Sequence, residues 1–277
     1  VEQYRDLIYQ NTPYSISSRV LEKNIQNIKR SDIVEYYNNI FNPENLIISI
    51  NGYVDKDKTI NELNNMFNKF SLSTSENNLF TYNTYNTKIP RLTTARQSTI
   101  KMNTETAWIL LGWQVDGISN AKDFATLQVI DSLLGSGMSS RLFKDLREQE
   151  GLAYQLGSGY SPNVLRGSFM LYIGTNPATL EKAKSGLFEE IKKLKTEYVG
   201  DKELSDAKEK LLGNYILGLE TNLDKASNLG WYETTGAGYE FNNKYQELIN
   251  SVTDADIIEI ANKYFNDNYV LSVVTKE

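Results

Sequence analysis

The sequence predicts an α+β protein with a mixed or antiparallel sheet and helices packed on one face. Three observations lead to this class. Apolar strands and amphipathic helices occur in mixed order, which is typical of α+β layers. One helix-and-strand unit occurs twice, near the two ends of the chain. The 277 residues, 40% apolar and 23% charged, suffice for two domains or one large one with a real core.

The repeated unit is a helix followed by an apolar strand. Residues 32–42 align with residues 256–266 at an offset of 224, and six of the eleven positions are identical. Apolar strands are predicted next, at 46–50 and 269–274. Coincidence in an Asn- and Ile-rich sequence is the alternative, but the matching helix-to-strand order argues against it.

The repeat predicts a duplicated domain whose first copy is truncated. If the second copy starts near Ser98, the first lacks about 127 residues of its beginning. We therefore expect a fragment of a longer protein or a naturally shortened subunit. The predicted boundaries are 1–71 for the truncated first domain, 72–95 for a linker rich in Ser, Thr and Asn, and 96–277 for a complete second domain.

The remaining elements follow from periodicity and from capping residues. Ser139 is predicted to cap a helix that runs to about Glu150, where Gly151 supplies a left-handed end. Residues 152–160 and 167–175 predict an antiparallel hairpin around a turn at 161–163. The other predictions are helices at 55–70, 123–134, 177–199 and 202–222 and a buried strand at 107–113.

Composition excludes several kinds of site. The chain has no His and no Cys, so it cannot contain a Ser-His-Asp triad, a Cys-His dyad or a Cys/His zinc site. A net charge of -6 without a basic run disfavours nucleic acid as a partner. No apolar run is long enough to span a membrane, which predicts a soluble chain. Without cysteines, the sequence leaves the compartment open.

Two local patterns suggest chemistry but favour structural roles. The run from Gly135 to Ser140 approaches a dinucleotide-binding fingerprint, yet its third glycine is replaced and a helix precedes it. Gly135 and Gly137 are therefore expected to shape the backbone between two helices. Glu148 and Glu150 could form an acid-base pair, but a solvated helix surface explains them better.

The most specific stretch is residues 133–158, LLGSGMSSRLFKDLREQEGLAYQLGS, continued by GSFMLYIGT at 167–175. It closely resembles the second half of the pitrilysin/insulinase-type zinc peptidases, the group that includes mitochondrial processing peptidase and the core subunits of the respiratory cytochrome b-c complex. Residues 13–14 and 42–52 look like the closing part of that family's first half. The family has two homologous domains, in agreement with the repeat.

The resemblance implies an active site divided between two domains. In the family, the first domain binds zinc through an inverted His-x-x-Glu-His helix, and the Glu of that motif activates the attacking water. The second domain supplies an Arg and a Tyr that hold the substrate, and these match Arg147 and Tyr154, seven residues apart. The zinc motif is missing here. We therefore expect no catalytic residue and no metal ligand in this chain, with zinc in the missing or partner half.

The implied partners are a zinc-bearing pitrilysin-like domain or subunit and a peptide substrate. A guanidinium and a phenol are donors suited to a carbonyl oxygen that gains negative charge.

The alternative functions are an inactive scaffold, as in the respiratory core subunits, and a module that binds peptides without hydrolysis. We also expect apolar residues around 25–28 and 46–50 to be incompletely covered, and to be protected by another chain, by self-association or by partial disorder.

Overall fold

A computed structural model describes residues 1–41, 45–67 and 89–277. The chain divides into two compact units. The first contains residues 1–18, 89–215 and 243–277, and the second contains residues 19–88 and 216–242. Of the predicted linker, residues 72–88 lie outside the described residues, and the domain boundaries at 71 and 96 stay a prediction.

The first unit contains a five-stranded mixed sheet in the order β1-β5-β2-β4-β3. Strands β1 and β5 are parallel, and the other neighbouring pairs are antiparallel. The predicted hairpin is confirmed as the β3–β4 pair. The strands are β1 (Arg96–Lys101), β2 (Ala107–Asp116), β3 (Gln155–Ser161), β4 (Arg166–Thr175) and β5 (Val270–Thr275).

Most helices also lie where periodicity predicts them, and the α+β class is confirmed. Helix boundaries differ from the predictions by a few residues, which is usual because helix ends fray. The helices are α1 (Glu2–Ile8), α2 (Ser18–Ile25), α3 (Arg30–Ile40), α4 (Lys56–Phe67), α5 (Ala121–Gly135), α6 (Leu180–Thr196), α7 (Asp201–Leu217), α8 (Asn222–Thr234), α9 (Phe241–Ser251) and α10 (Asp254–Tyr264). None of those in the described ranges is both long and apolar enough to cross a bilayer.

The two faces of β2 contact different helices. Trp113 lies 5.0 Å, between ring centroids, from Phe265 at the end of α10. On the opposite face, where side chains alternate with Trp113, Leu110 belongs to a buried cluster that includes Tyr4 and Ile8 of α1. The short helix α1 therefore covers the second face of the sheet, for which the sequence predicted no helix.

Two local predictions are wrong. The apolar run Leu46–Ile50 forms no strand, because it pairs with no other strand in the described part of the chain and a strand needs such a neighbour. The helix after Gly137 begins at Arg141, so Ser140 precedes it and Ser139 is not the cap. The expected exposure of the apolar residues is confirmed, since Ile25 and Ile48 are 66% and 44% exposed.

Candidate functional site

The site predicted from sequence lies where a helix reverses into the edge strand β3. Within the helix that begins at Arg141, residues Phe143–Gln149 have the wider π-helical winding. The Glu150 N–H donates to the Asp145 carbonyl five residues earlier at 3.1 Å, and the Leu152 N–H donates to the Leu146 carbonyl at 2.8 Å. Gly151, with φ of +65°, makes the left-handed turn between them, as predicted.

Arg147 lies on the exposed side of this helix. Its guanidinium carbon is 5.0 Å from the ring centroid of Phe143, one turn earlier. Such a cation–π contact limits the directions that the long side chain adopts while leaving its N–H donors accessible. The structure therefore gives Arg147 a defined place and an open surface.

Tyr154 lies on the other side of the reversal, directly before β3. Its backbone N–H donates to the Gly174 carbonyl at 2.9 Å, which extends the β3–β4 ladder by one step. Its side chain is 62% exposed. The backbone of Tyr154 is thus fixed by the sheet, and its phenol is available to solvent or to a ligand.

The structure places both predicted residues beside one turn, at the same end of β3. Arg147 is three residues before Glu150, and Tyr154 is three residues after Gly151. Glu148 and Glu150 are exposed here, and Glu150 pairs with Lys182 at 3.4 Å. An exposed ion pair agrees with the solvated-surface interpretation of these two carboxylates.

Gly135 and Gly137 have the backbone role that the sequence predicts. A side chain at Gly135 would place its Cβ 2.0 Å from the backbone nitrogen of Ser158, so only glycine permits α5 to approach β3 this closely. Gly137 has a φ of +75°, in the left-handed region. Both glycines shape the chain that leads into the site helix, as expected.

Sequence reasoning missed the contacts that hold the site helix from behind. Leu146 is buried, and Lys193 of α6 donates to the Asp145 carboxylate at 2.9 Å and to Glu190 at 2.5 Å. The available signal was the four- and seven-residue spacing of Gly186, Glu190 and Lys193, which places them on one face of α6. Without knowledge of the neighbouring helix, this spacing resembles an ordinary amphipathic pattern.

Burial and ion pairing shift the pKa values of the charged groups in this contact in opposite directions. Burial raises the pKa of Glu190, although its bond from Lys193 opposes the shift. The same bond to Glu190, assisted by Asp145, raises the pKa of Lys193. Lys193 therefore keeps its positive charge at neutral pH, and the contact is charge-assisted.

A cavity of about 770 Å³ lies beside this contact, between α5, the site helix, α6 and α7. Its walls carry both signs of charge, and several of these charges pair with one another. Arg141, for example, makes two bonds of 2.8 Å with Glu203. The cavity is therefore lined by internal ion pairs and shows no excess of one charge for a ligand of the opposite charge.

The residues do not fit a zinc ion. The sequence has no His or Cys, and within residues 1–41, 45–67 and 89–277 no three carboxylates are grouped to hold a metal. Zinc in peptidases is bound through nitrogen, sulfur and carboxylate ligands in a tetrahedral arrangement. The described residues therefore provide no zinc site.

Comparison with known families gives a match over most of the chain. The family profile described as "Peptidase M16 inactive domain" matches residues 27–211. The chain is 27% identical over 273 residues to an "uncharacterized zinc protease" of Rickettsia bellii, and the match covers 99% of this chain and 64% of that protein. It is 25% identical to the "Non-peptidase homolog YmxG" of Helicobacter pylori, over 91% of this chain and 56% of that protein.

Solved structures show the same fold. The crystal structure of a protease from Helicobacter pylori superposes with a TM-score of 0.86 at 23% identity, covering 99% of this chain and 65% of that one. The chain thus spans a little under two thirds of the length of the Rickettsia bellii relative and of this structural neighbour.

Proposed function

Because the chain belongs to the peptidase M16 (pitrilysin-type) family through its inactive domain, we propose that it is the non-catalytic, substrate-holding part of a zinc-dependent metallopeptidase. The zinc site is carried by another domain or subunit, and the substrate is a peptide. Bound there, zinc would activate the water that attacks the peptide bond. The residues of this chain bind and orient the peptide.

One observation carries the proposal: Arg147 and Tyr154 are both exposed, on the two sides of one rigid reversal. The left-handed Gly151 and the Tyr154 N–H bond to Gly174 fix the backbone between them. A charged and a neutral donor held at one turn suit a carbonyl oxygen that becomes an oxyanion.

The test uses the protein assembled with its zinc-bearing domain. Arg147→Ala removes a charged donor worth roughly 1.5–3 kcal/mol, so kcat/KM should fall by about 10- to 150-fold. Tyr154→Phe removes a neutral donor and should cost about 0.5–1.5 kcal/mol. The double variant should lose less than the sum, because both donors serve one substrate group. Zinc content should stay the same in all variants.

Two matched controls use exposed residues away from the turn. Lys144→Ala removes a cation from the same helix, and Tyr198→Phe removes an exposed phenol beyond the end of α6. Both should keep kcat/KM close to that of the parent. Full activity of folded Arg147→Ala and Tyr154→Phe proteins would refute the substrate-holding role.

A second candidate is an inactive scaffold that keeps the fold for assembly. It is favoured by the name of the Helicobacter pylori relative, a non-peptidase homolog. The two functions differ in peptide affinity. A scaffold should bind an unstructured peptide no better after assembly than before, whereas the substrate-holding function requires binding that Arg147→Ala weakens.

A further inference from the structure

One face of α6 contacts the site helix at two consecutive residues. Gly186, Glu190 and Lys193 lie along this face. Gly186 leaves room for Leu146, because a Cβ there would lie 2.5 Å from a methyl carbon of Leu146. Lys193 binds the Asp145 carboxylate at 2.9 Å and also Glu190. Thus α6 holds both Asp145 and Leu146 by their side chains.

The main-chain carbonyls of the same two residues close the turn. The Asp145 carbonyl accepts from Glu150, and the Leu146 carbonyl accepts from Leu152. Arg147 is the next residue, and Tyr154 follows the turn. The contact with α6 is therefore placed to set the geometry on both sides of the reversal.

The π-helical winding of the site helix makes the direction of Arg147 sensitive to this contact. A π-helical stretch is rare, occurs mostly as a single turn inside an α-helix, and is frequently found at functional sites. If the segment relaxed to ordinary α-helical winding, the residues after the change would shift by one position, a rotation of about 100°. Arg147 lies inside this segment, so such a change would redirect its side chain.

We infer that Lys193 is a positioning residue that holds the site helix through Asp145 and so fixes the direction of Arg147 and the start of the turn to Tyr154. This inference rests on the proposed substrate-holding function. Lys193 itself need not touch the substrate. Its ammonium acts on the side of the helix that packs against α6, whereas Arg147 is exposed.

The first experiment measures the turn directly, in this chain. Lys193→Met keeps the aliphatic stem and removes the charge. The amides of Glu150 and Leu152 should then exchange with solvent at least about tenfold faster, because they donate to the two anchored residues. Lys193→Arg should restore most of the protection, since a guanidinium can bridge both carboxylates.

Lys192→Met is the matched control. Lys192 is the adjacent residue on α6, is 68% exposed and forms a surface ion pair with Glu189 at 3.1 Å. The Lys192→Met substitution removes one lysine charge from α6, as Lys193→Met does, but leaves the contact with the site helix unchanged. Equal exchange rates at Glu150 and Leu152 in the Lys193→Met and Lys192→Met proteins would overturn the inference.

The second experiment is kinetic and separates positioning from general stability. In the assembled enzyme, Lys193→Met should lower kcat/KM by about 3- to 30-fold, mainly through kcat, because a misdirected donor serves the transition state less well. Added to the Arg147→Ala, Tyr154→Phe double variant, it should cause little further loss, since it acts through these two residues. Additive losses would show a merely structural role and overturn the inference.

The outcomes also separate this inference from the proposed function. If Arg147→Ala has no effect on kcat/KM, the substrate-holding function fails, and with it the catalytic part of the inference. If Arg147→Ala has its full effect but Lys193→Met changes neither exchange nor kcat/KM, the function stands and the role of Lys193 is refuted.

Discussion

Helices α3 and α10 carry the two copies of the repeat, and their ends share two backbone hydrogen bonds. The N-terminus of α10 has a further bond, from the Asp256 N–H to Thr253 Oγ1 at 3.2 Å, which Lys29 at the start of α3 cannot reproduce because an ammonium accepts no hydrogen bond. The Asp32 carboxylate accepts the backbone N–H of Lys29 at 2.9 Å, and Asp256, 224 residues later, accepts that of Thr253 at 2.9 Å. At the other end, Phe41 and Phe265 donate to the carbonyl four residues earlier, at 2.8 and 2.9 Å. The repeated residues therefore have repeated local roles.

The two helices differ in burial, because α3 is exposed and α10 is buried. Ile33 is 59% exposed and its counterpart Ile257 is 0% exposed, while Phe41 is 70% exposed and Phe265 is 2% exposed. In the second copy, Phe265 contacts Trp113 of β2 and Phe169 of β4, with ring centroids 5.0 and 5.1 Å apart. A short sequence therefore specifies a helix and its apolar face, whereas the burial of that face depends on a sheet whose strands are distant in the sequence.

The largest expected effect is the difference between the two phenylalanines. Phe265→Ala removes a buried ring from the core and should lower the free energy of unfolding by about 3–5 kcal/mol. Phe41→Ala removes an exposed ring and should change it by about 0.5 kcal/mol or less. Urea denaturation of the two variants measures both. Similar losses would mean that the first copy is covered as well as the second.

The same comparison explains how much was predictable. Both helices follow from residues within eleven positions, and four of the five strands were predicted from their apolar residues. Strand β1 (Arg96–Lys101) was not predicted, because most of its side chains are polar. The strand at 46–50 does not form, because strand formation depends on a partner that local sequence does not identify.

At the site, the reversal and the position of the two residues beside it were predictable, and the contacts that support the reversal were not. Gly151 and the order of helix and strand placed Arg147 and Tyr154 at one turn, although the roles of these residues came from family resemblance. The bond from Lys193 to Asp145 comes from α6, 48 residues further along the chain, and no sequence pattern predicted the π-helical winding. The spacing of Gly186, Glu190 and Lys193 marks one face of α6, but it does not identify the helix that this face contacts.

A second prediction concerns what covers α3. If the zinc-bearing domain packs on this face as β2 and β4 pack on α10, Ile33→Glu should weaken its binding by about tenfold or more, because a charge would be buried. The free energy of unfolding of this chain should change by about 0.5 kcal/mol or less, since Ile33 is exposed. Calorimetric titration of the separately prepared domains measures the affinity.

Glu35→Lys is the control for this experiment. Glu35 is also exposed on α3, but its position is about 200° around the helix from Ile33. This change should leave the affinity almost unaltered. Equal affinity of the Ile33→Glu and parent chains would show that the exposed face of α3 is not the docking surface.

The smallest effect concerns the helix caps, which should be similar in the two copies. Asp32→Ala and Asp256→Ala each remove the N3 carboxylate that accepts the backbone N–H of the N-cap residue, at a cost of about 1 kcal/mol. For α10 the loss should appear in global unfolding, because this helix is part of the core. For α3 it should appear as faster hydrogen exchange in the first helical turn, because an exposed helix opens locally.

The cap of α10 also has a predictable pH dependence. Burial raises the pKa of Asp256, but donors from Lys122 and Thr253 outweigh it and lower the net pKa below the ordinary 3.8. The stabilisation by this carboxylate is therefore present above pH 3.8 and is lost as the pH falls through the lowered value. The stability difference between the parent and Asp256→Ala should accordingly shrink between about pH 6 and about pH 3.

Glu259→Ala is the control, because it removes another partner of Lys122 without touching the cap. If Glu259→Ala matched Asp256→Ala at both pH values, the ion pair with Lys122 and not the cap would carry the effect, and the structural equivalence of the two helix ends would have no energetic counterpart.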